Sequence, residues 1–262
     1  MNGFSKIIEF DPRAKAALLP HLSQDLILRS YAGAPGKELE SGKFASPESS
    51  AALAANVFGI FLSDAETLEA LPRCQCAAGA KLLGLEVTVR FPWTGGRHPC
   101  LDALIETPSF LIGVESKRYE TFRGHGPAVF SEAYDHDWGR RMRGYERARD
   151  ILKHLPLEFN FLDAAQLVKH AFGLRTAAKT RQKRAILYYL YAEPRAWPDK
   201  RQISAEDRRA HRDELERFTT LVADDEVRFR SSSYSELLTL WSGSNRAAIR
   251  EHAQAILQHF DV

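Results

Sequence analysis

Two acids and a lysine occupy neighbouring positions in an apolar part of the chain. Asp102 lies in "CLDALIE", and Glu115 and Lys117 lie in "FLIGVESK". Both segments have the composition of buried strands, and the "TPS" between them predicts a tight turn. Because strand side chains alternate between faces, Glu115 and Lys117 lie on the same face. An acid and a base are therefore carried together into the interior, which is typical of a chemical site.

The predicted hairpin places a second acid beside the first. A turn at residues 108 and 109 sets Asp102 opposite Glu115, and opposed Cβ atoms are about 4.5–5.5 Å apart. Like charges at that separation destabilise a sheet unless a cation lies between them. Oxygen ligands in this arrangement suit Mg²⁺, and a metal-bound water has a lowered pKa that Lys117 can use. Gly113, on the same face, is expected to leave room for a substrate backbone.

A structural alternative is an ordinary salt bridge on the protein surface. Lys117 would then pair with Glu115 or Asp102, as charged residues on exposed strands often do. The apolar residues around Glu115 favour a buried strand over an exposed edge.

The elements that must position these residues can be predicted along the chain. A helix is predicted over residues 47–62, with Ser46 as its N-cap, and strands follow from Leu85, with a turn at 94–96. Helical patterns then cover 138–155 and "LDAAQLVKHAFG", which Asp163 caps and Gly173 closes. A buried strand, "KRAILYYLYAEP", a charged helix from Ser204, the strand "EVRFRS" and two helices complete the chain. The order predicts an α/β fold with a mixed central β-sheet flanked by α-helices.

Composition limits the class of protein. The 262 residues are 44% hydrophobic and 27% charged, with a net charge of +2, as in globular domains. No membrane span, signal-peptide pattern or zinc-ligand spacing of the three cysteines is found, so a cytoplasmic location is expected.

Residues 138–184 contain twelve Lys/Arg and four Asp/Glu. This basic block indicates an anionic partner, or alternatively a solvated helix face.

Two short motifs resemble those of a known superfamily. The run from Pro99 to Asp102, the hairpin, and then Gly113-Val-Glu115-Ser-Lys117 resemble the PD-(D/E)XK nucleases, although Pro99 is not adjacent to the acid. "SSAALAANVFG" and "LDAAQLVKHAFGL" are similar to a bacterial restriction-endonuclease-like group. The resemblance covers residues 46–194 and implies a restriction-endonuclease-like core there. Residues 1–45 are then an N-terminal extension, and 195–262 complete the same domain.

The resemblance implies roles for individual residues. Asp102, Glu115 and the carbonyl of Ser116 look like ligands of Mg²⁺, which Mn²⁺ can replace. Lys117 would position the attacking water or stabilise charge on the phosphate. Glu48 resembles the superfamily's helix acid, although it also suits a helix dipole. Gln166 resembles a residue that contacts substrate or metal-bound water, although it also fits a capping box.

The function implied is that of a metal-dependent endonuclease that hydrolyses DNA. Arg140, Arg143 and Arg147 recur at helical spacing and are predicted to contact phosphates, together with Lys169, which shares a helical face with Gln166. Cleavage of both strands makes a homodimer plausible. Two alternatives stay open at this point: a nuclease fold that binds nucleic acid or a protein without cutting, and an unrelated α/β protein with a structural charge cluster.

Overall fold

The computed structural model describes residues 9–91 and 98–262, in which helices surround one five-stranded sheet. The turn predicted at 94–96 lies outside these residues. The helices are α1 (Pro12–Ala16), α2 (Gln24–Tyr31), α3 (Ser50–Phe58), α4 (Arg143–His154), α5 (Ala164–Thr180), α6 (Ala205–Leu221), α7 (Tyr234–Ser242) and α8 (Ala247–His259). The strands are β1 (Leu82–Thr88), β2 (Cys100–Glu106), β3 (Phe110–Lys117), β4 (Arg184–Tyr191) and β5 (Val227–Ser233).

The sheet is mixed, as the sequence predicts. Its strand order is β1-β2-β3-β4-β5, and the first three strands form an antiparallel meander. β4 and β5 then add in parallel, because α5 and α6 return the chain to the same end of the sheet. The predicted α/β class is therefore confirmed, and β3 lies at the centre with neighbours on both sides.

Each face of the sheet is covered by its own helices. One hydrophobic cluster joins Ile105, Ile112 and Val114 to α3, α7 and α8. A second cluster joins Leu104 and Leu111 to α4, α5 and α6. The period-2 alternation of β2 and β3 separates the two clusters, so both faces of β3 are buried and its charged residues must find partners inside the protein.

Two predicted helix boundaries are wrong for identifiable reasons. α3 begins at Ser50, because the side chain of Ser49, and not of Ser46, accepts the hydrogen bond from Ala52 N at 3.0 Å. Asp163 caps α5 as predicted, but Gly173 lies inside that helix. A Cβ on Gly173 would come within 2.8 Å of Val89 and Pro99, so this glycine permits close packing and does not end the helix.

The described segments on either side of residues 46–194 pack into the same core. α2 places Ile27, Leu28 and Tyr31 in the cluster that also contains Ala14 of α1 and Phe260. β5 extends the sheet beyond β4. The division at residues 45 and 194 stays a prediction, and the flanking segments share a core with residues 46–194. No helix in the described ranges is both long and apolar enough to cross a membrane.

Candidate active site

The β2–β3 hairpin has the predicted register. Ala103 pairs with Val114, Ile105 pairs with Ile112, and Thr107 N donates to Phe110 O at 2.9 Å. One step further along this register, Asp102 lies opposite Glu115. Both acids line a cavity of about 440 Å³, which we call the acidic cavity. Its lining residues are Glu38, Lys43, Ser46, Glu48, Ser49, Ser50, Ala51, Glu86, Asp102, Glu115, Ser116, Lys117, Tyr119, Glu120, Arg123 and Gln166.

Lys117 connects β3 to α5 through two short contacts. Its Nζ lies 2.6 Å from Glu115 Oε1 and donates to Gln166 Oε1 at 2.7 Å. The side chain of Gln166 therefore reaches the predicted site, while its backbone N–H donates to the Asp163 cap at 2.9 Å. The Glu115 and Lys117 side chains are 2% and 13% exposed, which excludes the surface salt bridge considered from the sequence.

Glu115 has a second close neighbour, on α5, that the sequence did not assign to it. His170 Nδ1 on α5 lies 3.0 Å from Glu115 Oε2, but the two atoms are not aligned as a hydrogen bond. Burial on its own would raise the pKa of Glu115. Attraction by Lys117 and His170 outweighs burial and lowers this pKa to about 2, so Glu115 is ionised at neutral pH.

The pKa of Asp102 is shifted in the opposite direction to that of Glu115. Its Oδ2 accepts the backbone N–H of Ser116 at 2.7 Å, which holds the carboxylate against β3. Burial, with repulsion from Glu115 and Glu86, raises the pKa of Asp102 well above its ordinary value. Two neighbouring carboxylates with pKa values pushed in opposite directions mark a place where additional positive charge would be stabilising.

Ser116 is anchored from the other face of the sheet. Its hydroxyl donates to Ser50 O at 3.2 Å and lies 2.6 Å from Tyr234 Oη. The backbone of β3 between Glu115 and Lys117 is thus fixed by α3 and α7, while α5 fixes the two charged side chains.

A third acid of the sheet was missed in the sequence. Glu86 on β1 lies between the pairs that β1 forms with β2, directly opposite Asp102, and it lines the acidic cavity. Its φ of 51° is unusual for a residue with a side chain. Burial, together with Glu38 and Glu115, raises the pKa of Glu86 to about 7, and Cys100 Sγ donates to its Oε2 at 3.4 Å. In the sequence, Glu86 is the single acid of "LEVTV", and a predicted β1–β2 register would have aligned it with Asp102.

Two other sequence expectations are corrected by position. Glu48 precedes α3 and does not lie in its first turn, and its Oε2 pairs with Arg123 at 2.6 Å at the cavity wall.

A Cβ on Gly113 would lie 2.7 Å from Leu101 Cδ1 and 3.2 Å from Leu174 Cδ2. The space beside Gly113 is therefore filled by the core, and a substrate backbone has no room there.

The predicted phosphate-binding residues lie away from the acidic cavity. Arg140, Arg143 and Arg147 line a different cavity, between α4 and α6, which shares no lining residue with the first. Arg140 precedes α4, and only the other two are on the helix. Lys169 places its Nζ 5.2 Å from the centre of the Phe130 ring, and burial lowers the pKa of Lys169.

The donor set of the acidic cavity fits a divalent cation only with help from water. Six acidic and three basic side chains line it, an excess of three acids. Within the described ranges, no group of three or more His, Cys, Asp and Glu side chains is arranged to hold an ion alone. Mg²⁺ commonly uses one or two carboxylates and keeps several waters, which matches Asp102 and Glu115.

Comparison with known proteins identifies a family for the chain. The family model for the restriction endonuclease associating with ARP, REase-ARP, matches residues 28–258. No curated protein and no solved structure gave a match. The mixed sheet with helices on both faces is consistent with a restriction-endonuclease-like core. Since the match covers most of the sequence, the chain belongs to the REase-ARP family of restriction-endonuclease-like proteins.

Proposed function

We propose that this protein is a metal-dependent endonuclease that hydrolyses DNA phosphodiester bonds. The observation that carries the proposal is the convergence of Asp102, Glu115, Lys117 and Gln166 in one cavity. A purely structural ion pair has no need of the second carboxylate, whose ionisation is unfavourable there. The restriction-endonuclease-like family supports the same assignment.

Asp102 and Glu115 are the side chains proposed to hold Mg²⁺ or Mn²⁺, with the carbonyl of Ser116 as a third ligand. The ion would supply Lewis-acid stabilisation of the phosphate and a water with a lowered pKa. Positive charge between the carboxylates would also remove the repulsion that raises the pKa of Asp102. Glu48 is proposed to act from the cavity wall, where its partner Arg123 is also close to the substrate space.

Lys117 is proposed to orient the attacking water and to stabilise charge on the phosphate. An ammonium group has three N–H donors. Two are directed to Glu115 Oε1 and Gln166 Oε1, so one remains for the water or a phosphate oxygen. Gln166 then acts by fixing the direction of that third donor.

Partners and location form part of the same proposal. The family description names an association with ARP, and we propose such an assembly for this chain. A DNA substrate, a homodimer and a cytoplasmic location are proposed on the sequence arguments given above.

The test compares two nearly isosteric variants with a surface control. Glu115→Gln removes a ligand charge, and Lys117→Met removes the positioned ammonium while keeping both carboxylates. Plasmid nicking with Mg²⁺ or Mn²⁺ should be lost in the first variant and reduced about 10²- to 10⁴-fold in the second. Lys81→Met, which breaks an exposed pair with Glu66, should leave nicking unchanged.

DNA affinity measured in EDTA separates cutting from binding. The endonuclease proposal expects metal-free binding to survive both changes, and to rise with Glu115→Gln because that variant removes a negative charge near the phosphate. Wild-type protein that binds DNA but never nicks it would support the silent nuclease fold instead. Full nicking by folded Lys117→Met would refute the role given to that residue.

A further inference from the structure

A second concave surface of the described residues is the groove between α4 and α6. It has a volume of about 890 Å³ and is separate from the acidic cavity. The two helices are antiparallel: Gly144 N at the start of α4 donates to Asp225 Oδ1 at 3.0 Å, while Glu158 beyond the end of α4 pairs with Arg217 on α6. These contacts hold the two helices side by side, with the groove between them.

One wall of the α4–α6 groove carries three uncompensated cations. Arg140, Arg143 and Arg147 are exposed and line the groove. Within the described part of the chain, none of the three makes an ion pair or a side-chain hydrogen bond. The neighbouring Arg141 and Arg149 are by contrast paired with acids.

The opposite wall carries the same number of uncompensated acids. Asp213, Glu216 and Asp224 are exposed, line the groove and recur at helical spacing on and just after α6. No ion pair within 4.0 Å joins any of them to a cation of the described residues. A polyanion such as DNA would be attracted by one wall and repelled by the other.

Apolar side chains accompany both charged walls. Ile151 and Leu221 line the groove between the charges. Leu155 and Leu157, in the loop that leaves α4, are 57% and 59% exposed beside the groove residue Glu158. Exposed leucines next to a charged groove are typical of a protein interface.

We propose that a second copy of this chain docks on the α4–α6 groove, an inference that rests on the homodimer proposed above and gives it an interface. A two-fold axis parallel to the helices places α4 of each copy over α6 of the other, as in a four-helix bundle. Each cationic wall then meets an acidic wall, with Arg140 and Arg143 near Asp224 and Arg147 near Glu216. An axis perpendicular to the helices would place like charges together and is disfavoured. The equal number of free cations and acids is what makes the surface complementary to itself.

A charge-swap experiment tests this interface independently of any cleavage. The molar mass of the full chain is measured by sedimentation velocity, and each variant is checked for wild-type unfolding. Wild-type protein should be a dimer that weakens as salt rises. Arg143→Glu/Arg147→Glu and, separately, Asp213→Lys/Glu216→Lys should each weaken self-association about 100-fold or more, because like charges then face each other.

Mixing the two double variants provides the decisive comparison. In the mixed dimer every wall again meets its opposite charge, so the 1:1 mixture should regain the wild-type mass. Arg29→Glu/Arg209→Glu, on exposed arginines of α2 and α6 outside the groove, is the matched control and should remain dimeric.

Three results would overturn the interface. They are a monomeric wild-type protein, dimeric charge-reversed variants, and a mixture that stays monomeric. A monomer whose DNA affinity falls with Arg143→Glu/Arg147→Glu would identify the arginines as phosphate contacts instead. Loss of nicking with the dimer intact bears on the proposed function alone.

Discussion

Removing the ammonium of Lys117 should destabilise the fold by an amount that depends on Glu115. The pKa of Glu115 is about 2 in the folded protein, against its ordinary value of 4.5. That difference corresponds to about 3 kcal/mol of folding free energy at neutral pH. Lys117→Met leaves Glu115 buried with only His170 nearby, so its pKa rises and this contribution is lost.

The sign of the pH dependence follows from the lowered pKa. A carboxylate whose pKa falls on folding stabilises the protein above its ordinary pKa, and the effect disappears as pH falls from 4.5 towards 2. The free energy of unfolding of Lys117→Met, measured with urea in EDTA, should therefore be about 3 kcal/mol below wild type at neutral pH. The gap should shrink through that acidic window.

A double-mutant cycle shows whether the pair is the cause. Glu115→Gln/Lys117→Met should cost clearly less than the sum of its single variants, because each single change leaves a buried charge without its partner. Wild-type stability for Lys117→Met at neutral pH, or an equal loss below pH 3, would refute the reasoning. Additive single costs would show that the two side chains act independently.

Three further changes test the elements around the site. Gly113→Ala should lower the free energy of unfolding by about 1–3 kcal/mol through overpacking against Leu101, whereas Gly126→Ala, which meets nothing within 4 Å, should not. Ser49→Ala should cost about 1 kcal/mol by removing the α3 cap. Ser46→Ala loses only the longer hydrogen bond from Glu48 N, at 3.3 Å, and should cost less, so equal effects in urea unfolding would contradict the assigned cap. The folded pKa of Glu86 is raised to about 7, so ionisation of this carboxyl opposes folding. Glu86→Gln should therefore stabilise the protein by up to about 3 kcal/mol near pH 9 and have no such effect near pH 4. Thermal unfolding measured at both pH values checks this difference.

The sequence was most informative where structure is local. The hairpin register depends on a short turn and on alternating side chains, so the pairing of Asp102 with Glu115 follows from the order of residues alone. Lys117 could be added to the pair in the same way, because it lies two residues from Glu115 on the same strand.

Contacts between distant elements could not be predicted in this way. Glu86 joins the site through a strand pairing that no short turn specifies, and His170 joins it through the packing of α5 on the sheet. The arginines near α4 show the same limit. Their spacing was visible in the sequence, but the acids that face them lie on and just after α6, about 70 residues later by the count from Arg143 to Asp213.

The position of β3 has a consequence for how the site assembles during synthesis. Asp102 and Glu115 belong to one hairpin and can meet as soon as that hairpin has formed. Gln166 and His170 arrive only with α5, and β4 must then close the crossover on the other side of β3. A nascent chain that ends before α5 therefore carries both carboxylates and Lys117, but it lacks Gln166, whose contact fixes the direction of the ammonium. Ribosome-bound intermediates of this protein should thus contain the acids of the site while the ammonium is still unpositioned, and the site becomes ordered only when the second half of the sheet is added.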